Sequence, residues 1–419
     1  MKDLRRDFPP AIAEYWKSGG GGSIPASLLD ETVLAPCGTF SHSAEPAAPV
    51  LLLQANLVPG GLVLVMNGLH SCMDLAGQAQ MARLLAKACR GEPFSAEEVS
   101  TGNMPRRDIL LPLLHLSDEE LLEGPDSTTA TGASEETTDD PTEGKDDQND
   151  PSPTITAAPD HLEEHRRPPQ AALRWSTFTF SSPALRALKA AATATMPSSP
   201  DVGDGERTPF ISTDDALSAL LWQSIARSRL ARLPNTTTTT TTLTRTVDAR
   251  RYVAGLPHTY PGDAAFKVSS TLSPASLLSQ PLGAVAAGLR ARLRPHAVRD
   301  GIRVHISQLA KGRAADGGSN GGGGGLDPST GVNLSSWAKE SCYDFDFGSD
   351  GGDGLGVVGL GRPAVVQRPV FTDDVCESLV YLMPRRPDGE ITALMCLREL
   401  DMERMREDSE MVRYGQYVG

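Results

Sequence analysis

Cysteine and aromatic residues are scarce in this sequence. Six cysteines are spread through 419 residues, and aromatic side chains make up 5% of the chain. No two cysteines form a Cys-x-x-Cys pair, and none has the spacing of a zinc ligand set. A chain of this length can bury enough apolar surface to fold without a disulfide framework, so we expect free thiols in a reducing compartment. These features exclude cysteine-based metal sites and small disulfide-rich folds.

Signals for secretion or membrane insertion are also lacking. The N-terminal stretch MKDLRRDFPP is charged where a signal peptide is apolar, and no apolar run reaches the length of roughly 20 residues that crosses a bilayer. The net charge of −14 is concentrated between Asp118 and Glu164, where 16 acidic residues and one lysine leave the rest nearly neutral. A neutral body has no electrostatic footprint for nucleic acid. We therefore expect a cytoplasmic protein without nucleic-acid or membrane partners.

A histidine and an aspartate follow what looks like a buried hairpin. Val50–Leu57 and Leu62–Met66 are apolar runs separated by a Pro-Gly-Gly turn, which predicts two antiparallel strands. His70 comes after the second run, and Asp74 comes just before a helical pattern. Imidazole titrates near neutral pH, so a histidine delivered to a strand end suits a general base. The same spacing also fits a structural histidine and a helix-capping aspartate.

Other chemistry-bearing patterns are weaker. Cys72 could act as a nucleophile, but its segment holds no second histidine to activate it. The Gly-rich stretch from Asp344 to Gly361 lacks the Lys-Ser/Thr pair of a phosphate-binding loop. Its aspartates lack the bidentate glutamate of a calcium loop. His115 lies in an apolar run, where a structural role is the simpler interpretation.

Composition divides the chain into two folded parts. We expect an N-terminal domain over residues 1–116, a disordered acidic crossover linker over residues 117–168, and a C-terminal domain over residues 169–419. A Gly-rich disordered insertion is predicted near residues 315–330. Within the C-terminal part the hydrophobic periodicity predicts several elements. Strands are predicted at Leu173–Phe180, Leu243–Tyr252, Val375–Met383 and Ile391–Leu397, and helices at Pro183–Ala192, Ala216–Leu233, Leu272–Leu293 and Asp401–Arg413.

Taken in order, these segments resemble the BAHD acyltransferase superfamily, and most of all its fungal branch with the trichothecene O-acetyltransferases. The family's His-x-x-x-Asp motif matches His70 to Asp74, and its Asp-Phe-Gly motif matches Asp346-Phe347-Gly348. Three further blocks look like family blocks in the same order. These blocks are Ser212–Gln223, Val247–Gly262 and Val380–Asp401.

The resemblance implies an α/β fold of two similar domains, each a mixed sheet with flanking helices as in chloramphenicol acetyltransferase, which meet at an active-site tunnel. It implies acyl-CoA, expected to be acetyl-CoA, as co-substrate, a small hydroxylated metabolite as acceptor, no metal, and a monomer. His70 would take the hydroxyl proton without an acyl-enzyme. Asp74 would point away from the substrate, hold the His70 loop and pair with an arginine. Asp346 and Gly348 would be structural, with Asp346 bound to Arg250. The residues that contact CoA are not assigned.

The sequence departs from the family pattern in several places. Leu75 stands where glycine often follows the motif aspartate, and Ser349-Asp350 replace the Trp-Gly after the second motif. His70 lies so near the start that we expect the family's first strand and helix to be missing, a truncated N-terminal domain. Two alternatives follow. One is a catalytically impaired or non-catalytic relative that binds small molecules, and the other is a condensation-type domain of peptide synthesis with the same His-x-x-x-Asp motif.

Overall fold

A computed structural model describes nine stretches of the chain, and the account below is confined to them. They are residues 2–4, 31–35, 49–59, 61–105, 172–197, 210–310, 327–348, 359–370 and 376–419. The proposed linker over residues 117–168, His115 and the glycines of the predicted insertion lie outside these residues. None of the helices in these stretches is long and apolar enough to cross a membrane.

The N-terminal part contains a three-stranded sheet in the order β1-β2-β3. The predicted hairpin is confirmed: β2 and β3 are antiparallel, and Leu57 pairs with Leu62 across the turn. The short β1 runs parallel to the other edge of β2. Two helices follow, and the side chain of Asp74 caps the start of the first while that of Ser95 caps the start of the second. The bounds are β1 Lys2–Asp3, α1 Glu31–Leu34, β2 Leu51–Val58, β3 Gly61–Gly68, α2 Leu75–Cys89 and α3 Ala96–Gly102.

The C-terminal part is built on a mixed seven-stranded sheet in the order β10-β4-β9-β8-β7-β5-β6. β7 pairs in parallel with both β5 and β8, while the other pairs are antiparallel. Its strands are β4 Leu173–Phe180, β5 Thr241–Asp248, β6 Ala265–Leu272, β7 Val332–Ser336, β8 Leu379–Leu382, β9 Ile391–Arg398 and β10 Gln416–Tyr417. Its helices are α4 Ser182–Ala194, α5 Thr213–Arg229, α6 Pro274–Ser279, α7 Leu282–Ala291, α8 Pro295–Ala310, α9 Glu399–Glu407 and α10 Ser409–Tyr414.

Helix α5 is the centre of the core. Its side chains are buried nearly all round, because α4, α7, α9 and α10 pack around it and the sheet covers its remaining side. The buried residues include the polar Asp215, Gln223 and Arg229, so the helix carries polar as well as apolar side chains into the core. Trp222 is 1% exposed and satisfies its indole N–H by donating to the Thr241 hydroxyl over 3.0 Å. The prediction of an α/β fold with a mixed sheet and flanking helices is confirmed.

Several predicted elements need correction. The predicted strand Leu243–Tyr252 ends at Asp248, where a single 3₁₀ turn begins, and the predicted helical stretch from Leu272 starts on the last residue of strand β6. The predicted terminal helix is two helices, because Asp408 ends the first and caps the second. Strand β6, strand β7 and helix α8 were not predicted.

A buried ion cluster fixes the start of α5. Asp215 is fully buried and accepts from Arg245 over 2.9 Å and from Arg290. It also accepts from the backbone N–H of Ser212, which completes a capping box. Burial alone would raise the pKa of Asp215, but Arg245, Ser212 and Arg290 together hold it below its usual value. The carboxylate is therefore ionised in the folded protein.

Replacing this carboxylate with an amide tests the cluster. Asp215→Asn should lower the free energy of unfolding by about 3–5 kcal/mol, because Arg245 is left buried without a counter-charge. Wild type should keep this contribution above the ordinary Asp pKa of about 3.9 and lose it as pH falls, whereas Asp215→Asn should not. Urea unfolding from neutral to acidic pH measures both effects. The exposed Glu403→Gln serves as control, and equal stabilities of the two variants would contradict the prediction.

Candidate active site

His70 lies in an exposed turn directly after strand β3. Leu69 anchors this turn, since its N–H donates to the Val50 carbonyl over 2.8 Å and its own carbonyl accepts from Cys72 and Met73. The imidazole is thus placed by rigid backbone on both sides and is open to solvent. A base in this setting can meet a substrate proton, because neither ring nitrogen hydrogen-bonds to a residue that the structure describes.

Asp74 is 6% exposed and makes four hydrogen bonds. Oδ1 accepts from the Gly77 N–H over 2.8 Å and from Arg250 Nη2 over 2.9 Å. Oδ2 accepts from Arg250 Nη1 over 2.8 Å and from the Ala264 N–H over 2.9 Å. A carboxylate with both oxygens occupied twice has no acceptor left for a substrate. The expected helix cap and the expected arginine partner are both confirmed.

Arg250 uses every donor of its guanidinium group, and it is 2% exposed. Nη1 and Nη2 hold Asp74 in the bidentate arrangement, and Nη1 also donates to Asp248 over 2.9 Å. Nε donates to the Tyr260 carbonyl over 2.9 Å, and Nη2 donates to the Gly262 carbonyl over 2.5 Å. Burial lowers the pKa of Arg250, but Asp74 and Asp248 more than offset this effect, so the net pKa is raised.

The loop over residues 260–264 brings the two halves of the protein together. Besides the contacts to Arg250 and Asp74, the Asp263 N–H donates to the Cys72 carbonyl over 2.8 Å. Helix α2 approaches this loop so closely that a methyl group at Gly77 would lie 2.1 Å from the Pro261 carbonyl oxygen. Only glycine allows this contact. The His70 turn and the start of α2 are therefore held from the C-terminal half.

The expected ion pair between Asp346 and Arg250 is wrong, because Arg250 spends its donors on Asp74, Asp248 and two carbonyls. Asp346 Oδ1 accepts instead from the Gly348 N–H over 2.9 Å, and its backbone carbonyl accepts from Arg90 at the end of α2. Gly348 has a φ of +94°, which glycine adopts without strain. This turn is a second contact between the halves, at the other end of α2.

Sequence reasoning found the histidine, the aspartate and the arginine but missed several groups that position them. These are Gly77, Asp248 and the backbone of Tyr260, Gly262 and Ala264. Backbone donors and acceptors leave no residue signature. Gly77 sits one turn after the cap in a helical pattern, and an interior helix glycine without a conformational need is a signal for close packing. Two further aspartates of the Gly-rich stretch, Asp350 and Asp353, lie outside the described residues.

Comparison with known proteins identifies the relatives of this chain. Residues 1–89 match the family model described as trichothecene 3-O-acetyltransferase-like N-terminal domain. The chain is 37% identical to the O-acetyltransferase dmxR13 of Cryptosporiopsis sp. and 36% identical to trichothecene 3-O-acetyltransferase TRI101 of Fusarium sporotrichioides. Both alignments cover 100% of this chain and 80% of the relative.

Solved structures of trichothecene 3-O-acetyltransferases are also similar to this chain. The structure of F. sporotrichioides TRI101 complexed with coenzyme A and T-2 matches with a TM-score of 0.75 and 35% identity, covering 100% of this chain and 80% of that one. A similar match is found to F. graminearum TRI101 complexed with coenzyme A and deoxynivalenol, with a TM-score of 0.75. Vinorine synthase, at a TM-score of 0.51 and 17% identity, shares the fold.

The contact between Gly77 and Pro261 gives a direct test of the junction. Gly77→Ala should lower the free energy of unfolding by about 1–3 kcal/mol, because the added methyl forces the helix and the loop apart. Gly288→Ala is the matched control, since position 288 is helical with open space around it, and alanine there should stabilise by up to about 1 kcal/mol.

Two local probes accompany this measurement. The amide protons of Asp263 and Ala264 bond to Cys72 and Asp74 across the junction, so both should exchange faster in Gly77→Ala and at the wild-type rate in Gly288→Ala. Wild-type stability together with wild-type exchange in Gly77→Ala would show that the close contact does not hold the junction.

Proposed function

Because the chain belongs to the family of fungal O-acetyltransferases, it is an acyl-CoA-dependent O-acyltransferase, and we propose that His70 is its general base. The observation that carries this proposal is the contrast between the two motif residues. His70 is exposed in a turn whose backbone is fixed, whereas Asp74 is buried and fully hydrogen-bonded to Arg250 and its loop. The motif thus supplies one reactive side chain and one that positions it.

In the proposed reaction, His70 removes the proton from the acceptor hydroxyl while that oxygen attacks the thioester carbonyl of acyl-CoA. The C–O bond forms, the carbonyl π electrons move to its oxygen, and the tetrahedral species then collapses with cleavage of the C–S bond. The imidazolium returns its proton to the departing thiolate of CoA, so the enzyme ends unchanged. A positioned base of this kind typically contributes about 10²–10⁴-fold to the rate.

The remaining motif residues have positioning roles in this proposal. Asp74 and Arg250 hold the His70 turn against the loop over residues 260–264, and misplacement of a base by about 1 Å can cost on the order of 10²-fold in rate. Asp346 and Gly348 hold the far end of α2 through Arg90. Neither aspartate takes part in proton transfer, so neither should set the pH profile of the reaction.

The proposed acceptor is a small hydroxylated secondary metabolite, and the proposed acyl group is acetyl. The related structures contain T-2 and deoxynivalenol as small-molecule ligands beside coenzyme A, which supports a compact oxygenated acceptor rather than a protein or nucleic acid. A monomeric state and the two-domain boundaries at residues 116 and 168 remain predictions of the sequence.

Thiol release from acetyl-CoA, followed with a panel of hydroxylated terpenoids, tests the general base. His70→Ala should lower kcat about 10²–10⁴-fold, since the hydroxyl would have to lose its proton to water. Cys72→Ser should keep most of the activity, because the proposed reaction has no thiol nucleophile.

Heat stability in the presence of CoA separates lost catalysis from lost binding. His70→Ala should be stabilised by CoA as wild type is. Wild-type protein that is stabilised by CoA but never turns over would identify a non-catalytic relative. Activity that requires a carrier-bound thioester would identify a condensation-type enzyme, and loss of activity in Cys72→Ser with retention in His70→Ala would overturn the role of His70.

A further inference from the structure

Strands β5 and β6 carry a ladder of polar side chains on the sheet face opposite helix α5. Leu243 and Arg245 point toward α5, since Leu243 belongs to its core and Arg245 binds Asp215. The alternate residues therefore point to the other face. Two hydroxyl pairs lie on that face: Thr242 with Thr271 over 2.8 Å, and Thr244 with Ser269 over 2.9 Å. Thr246 and Lys267 form the next cross-strand pair.

This ladder starts at the active-site junction. Asp248 pairs with Ala265 in the same register, directly after Thr246 and Lys267, and it binds Arg250. Lys267 is two residues further along β6, a distance of about 7 Å at the usual strand rise. Strand β6 itself begins at the residue after Ala264, whose N–H binds Asp74. The Lys267 ammonium is thus on the face that carries the Asp74–Arg250 contact.

Lys267 is half-buried and unpaired among the residues that the structure describes. Burial lowers its pKa, and no carboxylate within those residues acts against this effect. A cation held away from water without a counter-charge is unfavourable for folding. Thr246 beside it and Ser335, which pairs with Thr246 on strand β7, supply hydroxyl groups but no charge. Such a cation beside hydroxyls is suited to an anionic ligand.

A cation-lined cavity elsewhere on the described surface is a poorer anion site. It has a volume of about 480 Å³ and lies between the end of α2 and the turn at Asp346. Two of its cations are paired with carboxylates, Lys87 with Glu98 over 2.7 Å and Arg90 with Glu92 over 2.7 Å, and a third, Arg83, donates to the Gln80 side chain. A phosphate group entering there would compete with Glu98 and Glu92 for those cations, whereas no carboxylate of the described residues competes for Lys267.

We propose that Lys267, with the Thr246 hydroxyl beside it, binds a phosphate group of acyl-CoA on the face of β5 and β6 opposite helix α5. The inference rests on the proposed function, which supplies this co-substrate. The phosphate binds through a charge-assisted hydrogen bond from the ammonium group, the strongest single contact that this ladder offers. The reacting thioester lies at the other end of the flexible pantetheine arm, toward the His70 turn.

Kinetics with shortened thioesters test the site. Lys267→Met keeps the length of the half-buried stem and removes the charge, so it should raise KM for acetyl-CoA roughly 10-fold or more while kcat stays within about twofold. KM for S-acetylpantetheine, which has no phosphate, and KM for the acceptor should not change. Lys267→Arg should restore most of the loss. Lys189→Met on the exposed face of α4 is the control for removing a positive charge.

Two further measurements identify which phosphate is bound and test the Lys267 site independently of the proposed reaction. If 3′-dephospho-acetyl-CoA abolishes the difference between wild type and Lys267→Met, the 3′-phosphate is bound; if the difference persists, the diphosphate is bound. Titration calorimetry with CoA, which needs no turnover, should show roughly 10-fold weaker binding in Lys267→Met. Binding that weakens in the variant of an inactive wild type would support this site and overturn the proposed reaction.

Three results would contradict the proposal. An unchanged dissociation constant for CoA in Lys267→Met would overturn the proposal. A rise in KM for the acceptor alone would assign Lys267 to the acceptor, and an equal rise in KM for S-acetylpantetheine would show a structural role.

Discussion

The contact between Arg250 and Asp74 is the interaction on which the arrangement of this protein depends. It joins residues that are 176 positions apart in the sequence. The buried guanidinium group of Arg250 donates five hydrogen bonds, and their acceptors are two carboxylates and two backbone carbonyls. Such a pair adds little net stability over an apolar contact, but loss of one partner strands a buried charge. The main effect of the Asp74–Arg250 pair is therefore to fix the positions of the elements around it. It fixes the start of α2, the loop over residues 260–264 and the turn that carries His70 in one geometry.

This arrangement separates reactivity from rigidity. His70 is exposed, and its ring makes no hydrogen bond to the residues that the structure describes, so a substrate can reach it. Asp74, four residues away, has no freedom at all. This division suits a base that must approach two substrates, because the side chain that transfers the proton is not the one that stabilises the fold. The same division extends along β6, where the Ala264 N–H binds Asp74 while the nearby Lys267 has no counter-charge in the part of the chain that the structure describes.

The sequence predicts the local parts of this structure better than their long-range partners. The β2–β3 hairpin, strand β4, helix α5 and the Asp74 cap all follow from periodicity and cap chemistry, which act over a few residues. The partner of Arg250 does not follow, because Asp74 and Asp346 are equally available carboxylates until the chain is folded. Strand β7 was missed for a related reason. It is five residues long with two serines, and its two parallel neighbours, rather than its own propensity, make it a strand.

The 176-residue separation between the two charged partners also has an evolutionary consequence. Closing a loop of that length costs roughly 4–5 kcal/mol of chain entropy, but doubling it would add only about 0.6 kcal/mol. Stability therefore places almost no constraint on the length of the chain between the two halves. Insertions such as the acidic run between Asp118 and Glu164 can be gained, lengthened or replaced by mutation while the reaction centre keeps its geometry. The sequence of this segment can thus change without any change in the chemistry of the site.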